Sequence, residues 1–277
     1  MLAHIEYSKL LTIVSWGVFN RTVRGTGCYT DDLKPIKNAI HGGLYIGSPG
    51  KDIFLMLPYL SDEQMKEVAV KLREVFPNTP PLNHVNIAAC IRFIYGQFER
   101  NGCLRSNEDC SLMKEKTPNW FLPRKFLKLL FVELKDCDNY YGLCILCEME
   151  GHRIGDEAII CDRQCLLEKM EKTYLESVKY AFKCNSYKQM WTPYFWSARY
   201  FAKARKKRKA IEYCKLTIKN GDKYCSDSRP SYVSKFLFCL EYLKNNDTKN
   251  WNSFYGKYKK SIRHKNLKKA INIIKKV

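Results

Sequence analysis

The sequence predicts a mainly α (α+β) fold: a small β-containing N-terminal part, a central segment organised by two close pairs of cysteines, and a helical, basic C-terminal region. Three observations predict it. From residue 61 onward apolar residues recur at helical spacing, the earlier apolar runs are short and separated by Gly and Pro, and the positive charge collects at one end. The expected division is residues 1–118, an α+β region; 119–190, a helix, the cysteine segment and a following helix; and 191–277, the basic helices.

In the first sixty residues, Gly42–Gly50 followed by Ile53–Leu57 reads as two strands around a turn. The glycines do not make a phosphate loop, because Gly50-Lys51 is followed by Asp52 and no helix signal comes after it. Ser61-Asp62-Glu63-Gln64 is a capping box that opens a helix to about Phe76, with Met65, Val68, Val70, Leu72 and Val75 as its apolar side. A helix follows over Val85–Arg100, and residues 103–118 are polar and loop-like. Pro123 suits the first turn of a helix carrying Phe126, Leu127, Leu129, Leu130 and Leu134. Further helices are expected from Cys165 to Phe182, from Thr192-Pro193 to Gly221, and from Pro230 to Leu243. A basic amphipathic helix closes the chain, with Leu267, Ile271 and Ile274 at i, i+4 and i+7. The stretch from Trp196 to Ala210 suggests a tetratricopeptide helix pair, but Arg199, Tyr200 and Glu212 stand where Leu, Gly and Ala are required.

At 277 residues and 45% hydrophobic content, the chain suffices for one large domain or two small ones. No apolar run has membrane-spanning length, and Met1–Glu6 lacks the start of a secretory signal, so an intracellular protein is expected. Thirteen cysteines, an odd number without that signal, argue for core thiols and metal ligands over a disulfide framework. Cys90, Cys184, Cys214 and Cys239 read as core.

Cys144-Ile-Leu-Cys147 and Cys161-Asp-Arg-Gln-Cys165 are spaced as metal ligands, since a short C-x2-C turn brings two thiolates to one ion and a second pair completes a tetrahedron. Four thiolates favour Zn²⁺, here structural because no coordination position stays open. Tyr141-Gly142 reads as a strand entering the turn, Gly151 and Gly155 as hairpin turns, and Leu166 onward as a helix whose N-terminus stabilises thiolates. Together these describe a treble clef. His152 and Cys137 are nearby substitute ligands; Cys103 with Cys110, or Cys214 with Cys225 and Cys239, are looser candidates for a second site. Residues 141–170 resemble the FCS/MYM-type zinc fingers through Leu143–Cys147 and Ile160–Leu166. Trp120-Phe121-Leu122-Pro123, Tyr141–Cys144, both cysteine pairs and the Lys-, Asn-, Tyr- and Cys-rich composition resemble the early zinc-finger proteins of insect baculoviruses. That resemblance implies a viral regulatory or virion-associated factor of host nucleus and cytoplasm, without enzymatic activity.

Of the +20 net charge, most lies in residues 199–277, where 23 Lys or Arg face five Asp or Glu. Segregated charge of this kind points to a polyanion, nucleic acid or an anionic membrane surface. Its centre is Arg205-Lys206-Lys207-Arg208-Lys209, flanked by Arg199 and Lys203, which also has the form of a nuclear-import signal. Upstream lie Trp191, Tyr194, Phe195, Trp196, Tyr200 and Phe201, which either stack on bases or form the buried face of a helix. Catalysis is not expected. Residues 166–183 hold none of the histidines or asparagines of a His-Me nuclease, and none of the five histidines has paired metal-ligand spacing. The sequence reading is a zinc-stabilised nucleic-acid-binding regulatory protein, with a protein-binding adaptor or virion-associated structural protein as the alternative.

Overall fold

The computed structural model describes residues 60–75, 118–225, 230–261 and 263–274. The expected hairpin before residue 58 and the helix at 85–100 lie outside them. Every regular element among the described residues is an α-helix: α1 (Asp62–Val75), α2 (Pro118–Asp136), α3 (Tyr140–Ile160), α4 (Leu166–Cys184), α5 (Thr192–Lys203), α6 (Lys207–Tyr224), α7 (Pro230–Asn246), α8 (Thr248–Ser261) and α9 (Lys265–Ile274). The α+β expectation with a β-containing zinc knuckle is therefore corrected. The segment expected to be that knuckle is one continuous helix, α3. No described helix is long and apolar enough to cross a membrane.

The chain divides into two compact units, Met1–Met149 and Glu150–Val277. In the first, α1 packs on α2, burying Met65, Val68, Ala69 and Leu72 on one helix and Phe126, Leu127, Leu130 and Leu134 on the other. The capping box forms as its residues require: the Gln64 main-chain N–H donates to Ser61 Oγ at 3.3 Å, and Gln64 Oε1 accepts from the Ser61 N–H at 3.0 Å. Arg73 pairs with the buried Glu133 at 2.8 Å.

Helix α3 is capped by the residue before it, Asn139, whose Oδ1 accepts the Gly142 N–H at 2.9 Å. All of Tyr141–Met149 is buried. A helix covered on every side has no polar stripe, so its sequence reads like a strand. That is why Tyr-Gly-Leu-Cys-Ile-Leu-Cys suggested a strand entering a turn.

In the second unit, the helices surround a core that includes Trp191, Phe195, Tyr174, Ile218, Phe236 and Leu240. Gly151 and Gly155, one helical turn apart on α3, are not turn residues. A methyl group on Gly151 would lie 2.6 Å from the Tyr174 ring, and one on Gly155 2.8 Å from the Tyr200 ring. Their hydrogen atoms leave space for two tyrosines to lie against the helix backbone. The residue after each glycine receives the phenol: Tyr174 Oη lies 2.7 Å from His152 Nδ1, and Tyr200 donates to Asp156 Oδ1 at 2.7 Å. Tyr174 and Tyr200 also stack, with centroids 6.4 Å apart. Thus Gly-His and Gly-Asp, repeated at a four-residue interval, seat α4 and α5 on α3. Gly221 of α6 does the same for Phe236 of α7, which stacks on the fully buried Trp191 at 5.1 Å.

The final amphipathic helix forms as its spacing predicts, with Leu267, Ile271 and Ile274 buried against α7. Asp222 of α6 ties down its start by accepting the N–H groups of Arg263 and His264, both at 2.9 Å.

Substitution of the seats separates packing from helix propensity. Gly155→Ala is expected to destabilise by about 1–3 kcal/mol, because the Tyr200 ring must move. Gly256→Ala, where nothing lies within 4 Å, is expected to stabilise by about 0.5–1 kcal/mol. Urea unfolding of the two variants beside the wild type checks the pair; equal shifts would show that the glycines are not seats.

Candidate nucleic-acid interface

The four cysteines lie in helical surroundings and not in the β-containing knuckle expected for a tetrathiolate site. Cys144 and Cys147 are buried within α3, and Cys161 follows the end of the same helix. Fourteen helical residues from Cys147 to Cys161 rise about 21 Å, whereas thiolates sharing one zinc must each lie about 2.3 Å from it. Cys161 is disulfide-bonded, which removes its thiolate and departs from the expectation of reduced cysteines. Cys165 is exposed at the entry to α4. The substitutes fare no better: His152 is engaged by Tyr174, and the exposed Cys137 donates to the Leu134 carbonyl at 3.6 Å. Among the described residues no group of three or more His, Cys, Asp or Glu is arranged to hold a metal ion. Cys184, Cys214 and Cys239 are buried in the core, as expected, and so is Cys225. A hydrogen bond with Cys239, together with burial, holds the Cys214 thiol far above its ordinary pKa. Cys90, Cys103 and Cys110 lie outside the described residues.

Replacing Cys144 and Cys147 together by serine is expected to leave the zinc content of the purified chain unchanged, as read by metal analysis. Cys144→Ser should destabilise by about 1–3 kcal/mol through burial of a hydroxyl, equally with and without a chelator. Stoichiometric zinc that is lost when these cysteines are replaced would overturn this account.

The basic residues are brought together. The helix expected over Thr192–Gly221 is in fact a hairpin, α5 and α6, joined by Ala204-Arg205-Lys206. Thr192 is its first residue and not its cap. The turn closes with two bonds, Lys206 N–H to the Phe201 carbonyl at 2.8 Å and Arg205 N–H to the Ala202 carbonyl at 3.1 Å, the pattern of a Schellman motif. Arg205 takes the left-handed position, with φ of 57°. Arg199, Lys203 and the whole block Arg205–Lys209 are exposed.

Their surroundings divide them. Lys209 donates to Glu171 Oε1 at 2.6 Å, and the same oxygen accepts from the Tyr213 hydroxyl at 2.5 Å. That hydrogen bond raises the Lys209 pKa, so Lys209 helps fasten α6 to α4. Lys203 and Arg199 stand near Asp156, where they oppose the burial that pushes its carboxyl above the ordinary value. No ion pair to Arg205, Lys206, Lys207 or Arg208 is found among the described residues.

The aromatic residues belong to the core. Trp191, Phe195, Tyr200 and Phe201 are buried, and Tyr194 and Trp196 are half-buried. Phe201 stacks on Tyr213 at 5.6 Å; Trp196 meets the His152 ring edge-on at 4.6 Å and has Lys235 Nζ 4.2 Å from its centroid. Sequence reasoning missed the division of the hairpin, because its turn carries neither Gly nor Pro. It also missed the Asp156–Tyr200 and His152–Tyr174 pairs, which join residues distant in sequence.

Comparison with known protein families, characterised proteins and solved structures finds no match to the chain.

Asp156 offers a check on this electrostatic arrangement. Its folded-state pKa is raised by burial, so the folded state favours the protonated carboxyl and this group's contribution to stability falls as pH rises through that value. Asp156→Asn, which keeps an acceptor for Tyr200, is expected to be at least as stable as wild type at pH 7. Below the unfolded carboxylate range the advantage should vanish, as read from denaturant midpoints across pH.

Proposed function

We propose that the unit Glu150–Val277 is a nucleic-acid-binding module whose contact surface is the basic turn joining α5 and α6. The observation that supports it most is the placement of Arg205. Four non-glycine residues have left-handed backbone among the described residues: Asp138, Asp162, Asn185 and Arg205. Each of the first three belongs to the Asn/Asp pair that adopts this region with little penalty. Arginine gains no such local hydrogen bond, and glycine would fill the position at less cost. A cation is thus held at the tip of the turn against conformational preference, beside Lys206, Lys207 and Arg208 and with Arg199 and Lys203 one element back. Strain of this kind concentrates at functional positions. Cations gathered with no ion pair among the described residues, Asp247 acting on Lys207 only at longer range, suit a partner that supplies the counter-charge and gains from counterion release.

The adaptor alternative has Leu175 and Phe182 in its favour, exposed by 42% and 44% and two turns apart on α4. Two side chains fall far short of the roughly 800 Å² per partner of a stable interface.

Arg205→Gly tests the proposal by moving two properties in opposite directions. The variant is expected to gain about 0.5–1 kcal/mol of stability from relief of the left-handed backbone. It is also expected to bind generic DNA or RNA more weakly, with a shallower dependence on salt. Denaturant unfolding and fluorescence anisotropy measure the two. Unchanged nucleic-acid affinity would remove the basis of the proposal.

A further inference from the structure

Building on that reading, we infer that the basic turn takes duplex nucleic acid by its phosphates and does not stack unpaired bases. Proteins that hold single strands combine a basic groove with exposed aromatic faces. The sequence places such aromatics beside the basic block, but the fold buries Trp191, Phe195, Tyr200 and Phe201 and half-buries Tyr194 and Trp196. Phe201 is stacked on Tyr213, Tyr200 on Tyr174, and Trp196 is flanked by His152, Phe195 and the cations Arg199 and Lys235. The exposed aromatics nearest in sequence are Phe182 and Tyr187, at and beyond the C-terminal end of α4. The block is attached near the opposite end, through Lys209 and Glu171. The eleven residues from Glu171 to Phe182 rise about 16 Å along the helix. Among the described residues no fully exposed ring is therefore found beside the turn, Tyr194 and Trp196 being half-buried.

What remains is recognition by charge. A cationic surface without stacking groups responds to the density of phosphates it meets, and a duplex carries a charge about every 1.7 Å of axis when both strands are counted, twice that of one of its strands. Such a surface reads no bases, so sequence is expected to matter little. Arg205, Lys206, Lys207 and Arg208 are the contacts assigned; Lys209 is left to its Glu171 pair.

The test uses the full chain, with labelled duplex and single-stranded DNA of equal length and mixed sequence, titrated by anisotropy. The duplex is expected to bind more tightly at every salt concentration, losing about 100-fold in affinity between about 50 and 200 mM for four phosphate contacts. Replacing Arg205, Lys206, Lys207 and Arg208 together by alanine should abolish most of that salt dependence, with folding verified by circular dichroism. Lys209→Ala should leave the salt slope unchanged. Single strands bound as tightly as the duplex or better, with quenched tryptophan fluorescence, would overturn the inference while leaving nucleic-acid binding intact. Absence of binding to either form would overturn both readings.

Discussion

The close approach of two tyrosine rings to one helix holds the second unit in its observed arrangement. Gly151 and Gly155 strip α3 of side chains on one face, Tyr174 and Tyr200 arrive from α4 and α5, and His152 and Asp156 meet their hydroxyls. An aromatic ring buried against backbone contributes large apolar area, while a phenol left without a partner would cost part of that gain. The seats satisfy both demands at once. They also set where α5 runs, and hence where its C-terminal turn and the basic residues emerge. Gly221 and Phe236 continue the device on α6 and α7, so the hairpin is held from both sides by rings seated on glycine.

Against this well-packed background the basic turn is locally unfavourable. Arg205 has the backbone of a glycine, and its neighbours crowd like charges onto a short loop and the first turn of α6. The positive end of the α6 dipole points at those cations, with no acidic residue in the first turn to relieve it. Several local choices thus conflict with stability in one place, while the capping box, the left-handed positions taken by Asp138, Asp162 and Asn185, and the buried faces elsewhere agree with the fold. Local conflict within an otherwise consistent structure marks a position shaped by something other than folding.

Much of the helical pattern was legible. The capping box at Ser61, the apolar faces of α1 and α2, the start of α7 at Pro230 and the Leu267–Ile271–Ile274 stripe follow from local sequence, because caps and half-buried faces leave periodic marks. The central segment was not. Its glycines and cysteines have the spacing of turns and ligands, but both residue types also serve tight packing, glycine by admitting a ring and cysteine as a small apolar side chain. Nothing in Gly151-x-x-x-Gly155 distinguishes a turn from a seat until the tyrosines that occupy it are known.

The sequence by itself determined the charge, its concentration in the last helices and the existence of most helices, since these depend on residue identity and short-range spacing. Tertiary structure decided which chemistry the residues are available for. It drew Trp191, Phe195, Tyr200 and Phe201 beside the basic block into the core, where a base cannot stack on them, and half-buried Tyr194 and Trp196. It buried Cys144 and Cys147 inside one helix and put Cys161 and Cys165 in the turn that follows it. And it broke one expected helix at an arginine, because contacts from α3, α4 and α7 outweigh the modest local penalty of a left-handed residue and leave that charge at the surface.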